Sequence, residues 1–169
     1  MNRGREHKNG RNPSGPHMPP APVPGDGLVQ GPKEVERLVQ IASLHLVADN
    51  AVAALECLER AESHLPDPTP FAAAAADIKI RKADCFLKRG DLSAALLEVA
   101  TALDLAPADE EPVLCGMALV REGAIRISLG DYDAALEACQ AAEKLLKPTA
   151  EHQLMGRLGL LLGTIHMRR

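Results

Sequence analysis

Aromatic residues are almost missing from this sequence: among 169 residues there is no Trp, one Tyr and two Phe. Aromatic and β-branched residues dominate strands, so their scarcity argues against a mainly β fold. Hydrophobic residues nevertheless make up 46% of the chain, and most of them are Ala and Leu. This composition favours closely packed helices, and the length is sufficient for one domain with a sizeable core.

Several signatures of chemistry are missing as well. The four cysteines lie 24 or more residues apart, without a Cys-x-x-Cys pair, so the sequence does not favour a zinc or dithiol redox site. The chain also lacks a Gly-x-Ser-x-Gly elbow, a Walker-type phosphate loop and a His-Glu-x-x-His motif. The sequence therefore predicts a protein that is not an enzyme and that needs no cofactor or metal.

A concentrated basic surface is also missing. Residues 1–33 contain five Lys/Arg and two Asp/Glu, which leaves 14 basic and 21 acidic residues in the remainder. A region of net charge −7 is poorly suited to binding nucleic acid. The most apolar stretch covers about a dozen residues, whereas a membrane span needs roughly 20. Because no export signal is visible either, we expect a cytoplasmic protein with no nucleic-acid or membrane partner.

The first 33 residues differ in composition from the rest, since they contain seven Pro and six Gly. Such a stretch buries too little apolar surface to offset its ordering entropy, so a disordered tail is predicted for 1–33. Residues 19–24 also suit a polyproline II ligand of an SH3-like groove. Residues 15–18 resemble the scar of a cleaved expression tag, which is an alternative interpretation of residues 1–18.

From residue 34 to 169 the sequence is periodic. Residues 90–107 and 130–145 both begin Gly-Asp and reach Ala-Ala-Leu four residues later. Aligning Ala54, Ala95 and Ala135 gives spacings of 41 and 40 residues, which indicate stacked repeats. The alanines are expected where two helices approach closely. The fold class predicted is all-α, an α-solenoid of stacked antiparallel helix pairs with units at 35–68, 69–108, 109–148 and 149–169.

Four polar residues mark predicted local features within these units. Thr69 and Thr149 are of the type that caps a helix at its N-terminus, so they are expected to begin the third and the last helix. Lys79 and Lys82 stand where the first helix of the second unit should be apolar. They indicate either a shifted helical register or a more hydrated face.

The repeated positions resemble those of the tetratricopeptide repeat (TPR) family. The Gly-Asp-Tyr turn of that family appears in full at residues 130–132. A small residue midway along each first helix, and a proline near the end of each unit, match it at Ala42, Ala83, Gly123, Gly163, Pro66, Pro107 and Pro148. The resemblance implies a right-handed superhelix. The usual period is about 34 residues, so the additional residues of each unit are expected in a longer first helix.

The last helix is expected to lack a partner. At the same period the next turn would fall at residue 170, while the apolar residues Leu160 and Met167 lie opposite the face that packs on the third unit. Arrays of this kind normally end in a helix with a polar outer face. The sequence is therefore interpreted as a fragment of a longer array, with self-association through this helix as one consequence.

The resemblance implies a protein- or peptide-binding scaffold module that uses the concave surface of its first helices. The alternative is a sensory segment of a larger transcriptional regulator or signalling ATPase. Two apolar rows with two arginines between them form the predicted groove: Val39, Ile80, Val120 and Leu160; Leu46, Leu87, Ile127 and Met167; Arg81 and Arg121. The expected partner is an amphipathic helix or an apolar peptide that carries acidic residues.

Overall fold

The computed structural model describes residues 26–65 and 69–169, and every regular element within them is helical. The α-helices are α1 (Asp26–Val47), α2 (Ala51–Ser63), α3 (Ala72–Arg89), α4 (Leu92–Leu105), α5 (Pro112–Leu129), α6 (Tyr132–Leu146) and α7 (His152–Arg168), and a short 3-10 helix (Thr69–Phe71) precedes α3. The predicted all-α class is confirmed. In these two ranges no helix is both long and apolar enough to cross a membrane.

The helices are stacked as antiparallel pairs. The most extensive contacts join α1 to α2, α3 to α4, and α5 to α6. The first helices of successive pairs also contact one another in order, α1 with α3, α3 with α5, and α5 with α7. Each pair therefore contacts only its neighbours, which is the arrangement of an α-solenoid and confirms that prediction. The first helices of the three complete pairs, α1, α3 and α5, have 18 to 22 residues and their partners 13 to 15.

The repeated Gly-Asp sequence forms the turn inside a pair. Gly90 and Gly130 end α3 and α5 in the left-handed conformation, at φ of 78° and 79°, which glycine adopts without steric cost. Asp91 then caps α4, because its Oδ1 accepts a hydrogen bond from the Ala94 N–H at 3.1 Å. Asp131 caps α6 in the same way.

The turn of the first pair has the same geometry with different residues. Asp49 occupies the left-handed position at φ 59°, and Asn50 caps α2 by accepting a hydrogen bond from the Ala53 N–H at 3.1 Å. A non-glycine residue there is strained. The Gly-Asp motif is thus repeated three times in structure but only twice in sequence.

The second helix of every pair buries one row of residues. The row follows the spacing i, i+4, i+7, i+11, with a small residue at the first and third places and an apolar one at the second. Its members are Ala54, Leu58, Ala61 and Leu65; Ala95, Val99, Ala102 and Ala106; Ala135, Cys139, Ala142 and Leu146. All are buried, which confirms that the alanines lie where helices approach closely.

The first helix begins earlier than the sequence indicates. The predicted tail reaches residue 33, but residues 26–33 are the first two turns of α1, with Pro32 inside the helix. This part of α1 lies beside the end of α2, since a Cβ built on Gly31 would be 3.7 Å from the His64 carbonyl oxygen. These two turns contain Pro and Gly, and they pack beside α2. A prediction from amino-acid composition alone cannot detect this contact. The other tail predictions, for residues 1–25, lie outside the described residues.

Both threonine caps are placed differently in the structure. Glu151 is the N-cap residue of α7, whereas the Thr149 hydroxyl donates a hydrogen bond to the Leu146 carbonyl at 2.7 Å and so closes the end of α6. Thr69 begins the 3-10 helix, and Phe71 precedes α3 without a side-chain cap. A threonine that follows a helix can equally well donate to the free carbonyls at the end of that helix, and residue type does not distinguish this from an N-cap.

Candidate partner-binding surface

The two apolar rows predicted to line a groove lie inside the stack instead. Ile80 and Val120 are 0% and 2% exposed. Ile80 packs in one core cluster with Ala118 and Ile125 of the next pair, and Val120 packs in another with Leu158 of α7. Ile80 is fully covered and cannot be contacted by a partner, and Val120 offers only a small part of its surface, so the two rows do not form the predicted groove.

The other residues of the two rows also pack between helices, except on α7. Val39 and Leu46 pack against the core cluster that joins the first two pairs. Leu87 and Ile127 are half-buried against the clusters that join later pairs. Only the α7 members are open to solvent, with Leu160 74% and Met167 82% exposed. An apolar row that recurs in each unit is thus a contact between successive helices wherever a following helix is present.

The arginines on the adjoining face of the first helices tie neighbouring pairs together. Arg81 Nη1 donates to Ser43 Oγ of α1 at 2.7 Å, while its Nε donates to Asp77 at 2.9 Å. Arg121 of α5 makes a bidentate pair with Asp84 of α3, at 2.8 and 3.0 Å. Paired guanidinium groups of this geometry are among the stronger side-chain contacts. Arg81 and Arg121 therefore lie on the predicted surface, but both are already engaged.

A groove does exist along these helices, between α3, α5 and α7. It has a volume of about 190 Å³ and is lined by Asp84, Leu87, Val120, Arg121, Ala124, Arg157, Leu160 and Leu161. Four of the ten predicted residues meet there: Leu87, Val120, Arg121 and Leu160. The others lie elsewhere in the stack. We call this surface the α3–α5–α7 groove.

Two donors in the α3–α5–α7 groove have spare hydrogen-bonding capacity. Arg121 is 8% exposed, and its Nη1 is buried without a hydrogen-bond partner among the described residues. Arg157 is exposed and takes part in none of the ion pairs found in the described ranges. Because Asp84 neutralises only one of the two charges, the groove is apolar with a net positive charge.

Arg157 and Leu161 were missed by sequence reasoning. At the repeat spacing of 40 residues Arg157 corresponds to Met117 and Asp77. Met117 is half-buried against two core clusters, so the change of residue type from unit to unit gives no clear signal for Arg157.

The two unexpected lysines form a closed ionic cluster between α2, α3 and α4. Lys79 and Lys82 each contact Glu62 and Glu98, with four N–O distances from 2.6 to 3.1 Å. Burial opposes ionisation of Glu62, but hydrogen bonds from both lysines outweigh it and lower the pKa of Glu62. Burial likewise opposes the charge on Lys82, and its two carboxylate partners raise the pKa. The helical register is unshifted, and the cluster joins the first two pairs.

The buried cysteines offer no reactive thiolate. Burial raises the pKa of Cys85 and of Cys139 to about 11, so both are thiols at neutral pH. Both belong to core clusters, as expected for small core residues. In the ranges that the structure describes, no group of three or more His, Cys, Asp or Glu side chains could hold a metal ion.

Comparison with known proteins does not assign the chain to a family. No family model matches it, and no curated protein shows significant similarity to it.

Proposed function

We propose that the chain is a TPR-like scaffold domain that binds a segment of another protein in the α3–α5–α7 groove. The stacked helix pairs, their Gly-Asp turns and their buried alanine rows support this kinship. The four cysteines are free thiols, which fits action in the cytoplasm.

The shape and lining of the groove favour an extended or helical peptide as its ligand. Leu87, Leu160 and Leu161 provide apolar walls on two different helices, and Val120 and Ala124 form the floor between them. Burying apolar side chains on such a surface supplies most of the binding energy. A peptide that crosses from α3 to α7 would contact both walls at once.

The observation that carries the proposal is the exposed Arg157 guanidinium at the groove, which takes part in no ion pair within the described ranges. Asp84 is already paired with Arg121, so it does not offset the positive charge of Arg157. The preferred ligand is therefore an apolar peptide with one or two Asp or Glu residues, held by burial and aligned by Arg157.

A peptide-display selection against the full chain tests this proposal. Selected peptides should carry Asp or Glu between apolar residues. Their enrichment should disappear for Arg157→Glu, which reverses the free charge, and for Ala124→Leu, which fills the floor. Arg60→Ala removes an exposed arginine of α2 and is the matched control, which should select the same peptides as the wild type.

Two outcomes would contradict the proposal. Selection that is unchanged by both groove variants would place binding elsewhere on the stack. Binding of small carboxylates without any preference among peptides would instead support the sensory alternative.

A further inference from the structure

A second surface lies on α7. The equivalent face of α5 shows what kind of contact such a surface makes. A Cβ built on Gly116 would lie 2.6 Å from Leu146 Cδ2, and one built on Gly123 would lie 2.7 Å from Cys139 Sγ. Contacts that short do not occur between real side chains. A side chain at either position would therefore have to displace a side chain of α6, and the two glycines leave room for α6 to pack closely on α5.

The same face of α7 is bare. Forty residues after Gly116 and Gly123 come Gly156 and Gly163, and a Cβ built on either has no atom within 4 Å. Gly159 is equally open. Leu160 and Met167 complete the face and are largely exposed. We call Gly156, Gly159, Leu160, Gly163 and Met167 the α7 outer face, which no helix in the described part of the chain covers.

The chain itself shows what kind of helix fits such a face. In all three pairs the covering helix runs antiparallel and offers the buried row described above, small at i and i+7 and apolar at i+4. In α6 this row places Cys139 and Leu146 directly over the two glycines of α5. A helix with the same row would bring its backbone equally close to α7 and bury Leu160 and Met167.

The charges on α7 indicate which kind of helix can dock on it. Between His152 and Arg168, α7 contains Arg157 and Arg168 but no acidic residue. The N-terminus of an antiparallel helix would lie beside Arg168, where acidic residues pair with the arginine and also favour the helix dipole. An acidic first turn is already used in this way by α6, since Asp133 contacts Arg169 at 2.7 Å. A second copy of α7 would instead bring positive charges together and place glycine against glycine.

We propose that the α7 outer face docks, in antiparallel orientation, an amphipathic helix of another protein. That helix carries small residues at i and i+7, apolar residues at i+4 and i+11, and an acidic first turn. The α7 outer face shares Leu160 with the α3–α5–α7 groove, but its three glycines do not line that groove, so the proposal does not depend on ligand binding there.

The probe for the test is a synthetic peptide of residues 131–148, which is the chain's own α6 and carries both the row and two acidic residues in its first turn. Fluorescence anisotropy of the labelled peptide with the full chain, under reducing conditions, measures binding. We expect saturable binding that weakens by roughly tenfold or more in Gly163→Leu, because the leucine occupies the place of the docked helix. A Cβ at this position has no atom within 4 Å in the free protein, so the variant should fold.

Three further variants make the result specific. Ala124→Leu in the α3–α5–α7 groove should leave peptide binding unchanged, which separates the two surfaces. A peptide in which Ala135 and Ala142 are both replaced by Leu should not bind, because its backbone can no longer approach the glycines. Replacing Asp131 and Asp133 by Asn should weaken binding and reduce its salt dependence.

The following results would overturn the proposal. No saturable binding of the peptide, or equal binding to Gly163→Leu, would show that the face does not dock a helix. Self-association of the free chain that Gly163→Leu abolishes would assign the face to a second copy. Competition by a peptide of residues 1–25 would assign it to this chain's own N-terminal segment.

Discussion

Helices α5 and α7 have the same pattern of glycine and apolar residues on one face, but this face is covered on α5 and exposed on α7. On α5 it consists of Gly116, Val120, Gly123 and Ile127, and it is covered by α6 and α7. On α7 it consists of Gly156, Leu160, Gly163 and Met167, and it is open to solvent. The comparison shows that this pattern specifies helix contact. Whether the face is core or surface depends on which helix follows, so the same pattern cannot by itself identify a binding groove.

The largest effect is expected where the first apolar row is fully covered. Ile80→Ala should lower the free energy of unfolding by about 2–5 kcal/mol, because it leaves a cavity between the second and third pairs. Leu160→Ala removes a side chain of the same size at the equivalent place in α7 but should cost less than about 0.5 kcal/mol. Equilibrium urea denaturation of both variants measures the difference. Similar costs would mean that α7 is covered after all.

A smaller difference in the free energy of unfolding is expected between the loss of an inner ion pair and the loss of an outer one. Asp84→Ala should destabilise by about 2 kcal/mol, since it leaves the nearly buried Arg121 guanidinium without its carboxylate. Asp133→Ala removes the partner of Arg169 on the outside of the stack, where both side chains are more than half exposed, and should cost about 0.5 kcal/mol or less. The same denaturation experiment tests the pair. A cost for Asp133→Ala as large as that for Asp84→Ala would contradict the contrast.

The stability contributed by Glu62, at the junction of the first two pairs, should depend on pH, whereas that of the equivalent Glu143 in α6 should not. The pKa of Glu62 is lowered below its ordinary value of 4.5, so its ionised form contributes stability above that pH, and the contribution is lost as the pH falls through the lower folded-state pKa. The melting temperature of Glu62→Gln should therefore lie below that of the wild type at neutral pH and approach it in acid. Glu143, at the equivalent place in α6, makes no ion pair within the described ranges. Glu143→Gln is the control and should show no such convergence.

The smallest effect concerns the turn of the first pair. Asp49→Gly should raise the melting temperature by a few degrees, because glycine relieves the left-handed strain at φ 59°. Loss of the exposed contact from Asp49 to Lys88 offsets little of this gain. Thermal melting monitored by circular dichroism measures the shift, and a lower melting temperature would show that the contact outweighs the strain.

Much of the fold could be predicted because its signals are local. The Gly90-Asp91 turn and Pro107, which the repeat pattern marks, bracket the observed helix α4 (Leu92–Leu105). The candidate site was harder, because a recurring apolar face carries no mark of what covers it. Contacts between residues far apart in sequence, such as Arg121 with Asp84 at a separation of 37 residues, leave no periodic signal either. The turn at Asp49 could not be predicted from the repeat pattern, because its backbone geometry matches that of the other two turns but its residues differ from theirs.

The free energies of unfolding of Gly123→Leu and Gly163→Leu test the account most directly, since the same substitution is made at equivalent places on α5 and α7. On α5 the leucine must displace the Cys139 side chain of α6, so a loss of about 3 kcal/mol is predicted. On α7 a Cβ has no atom within 4 Å and the change removes a helix-weakening glycine, so a gain of about 0.5–1 kcal/mol is predicted. Opposite signs would support the account, and a comparable loss in both variants would contradict it.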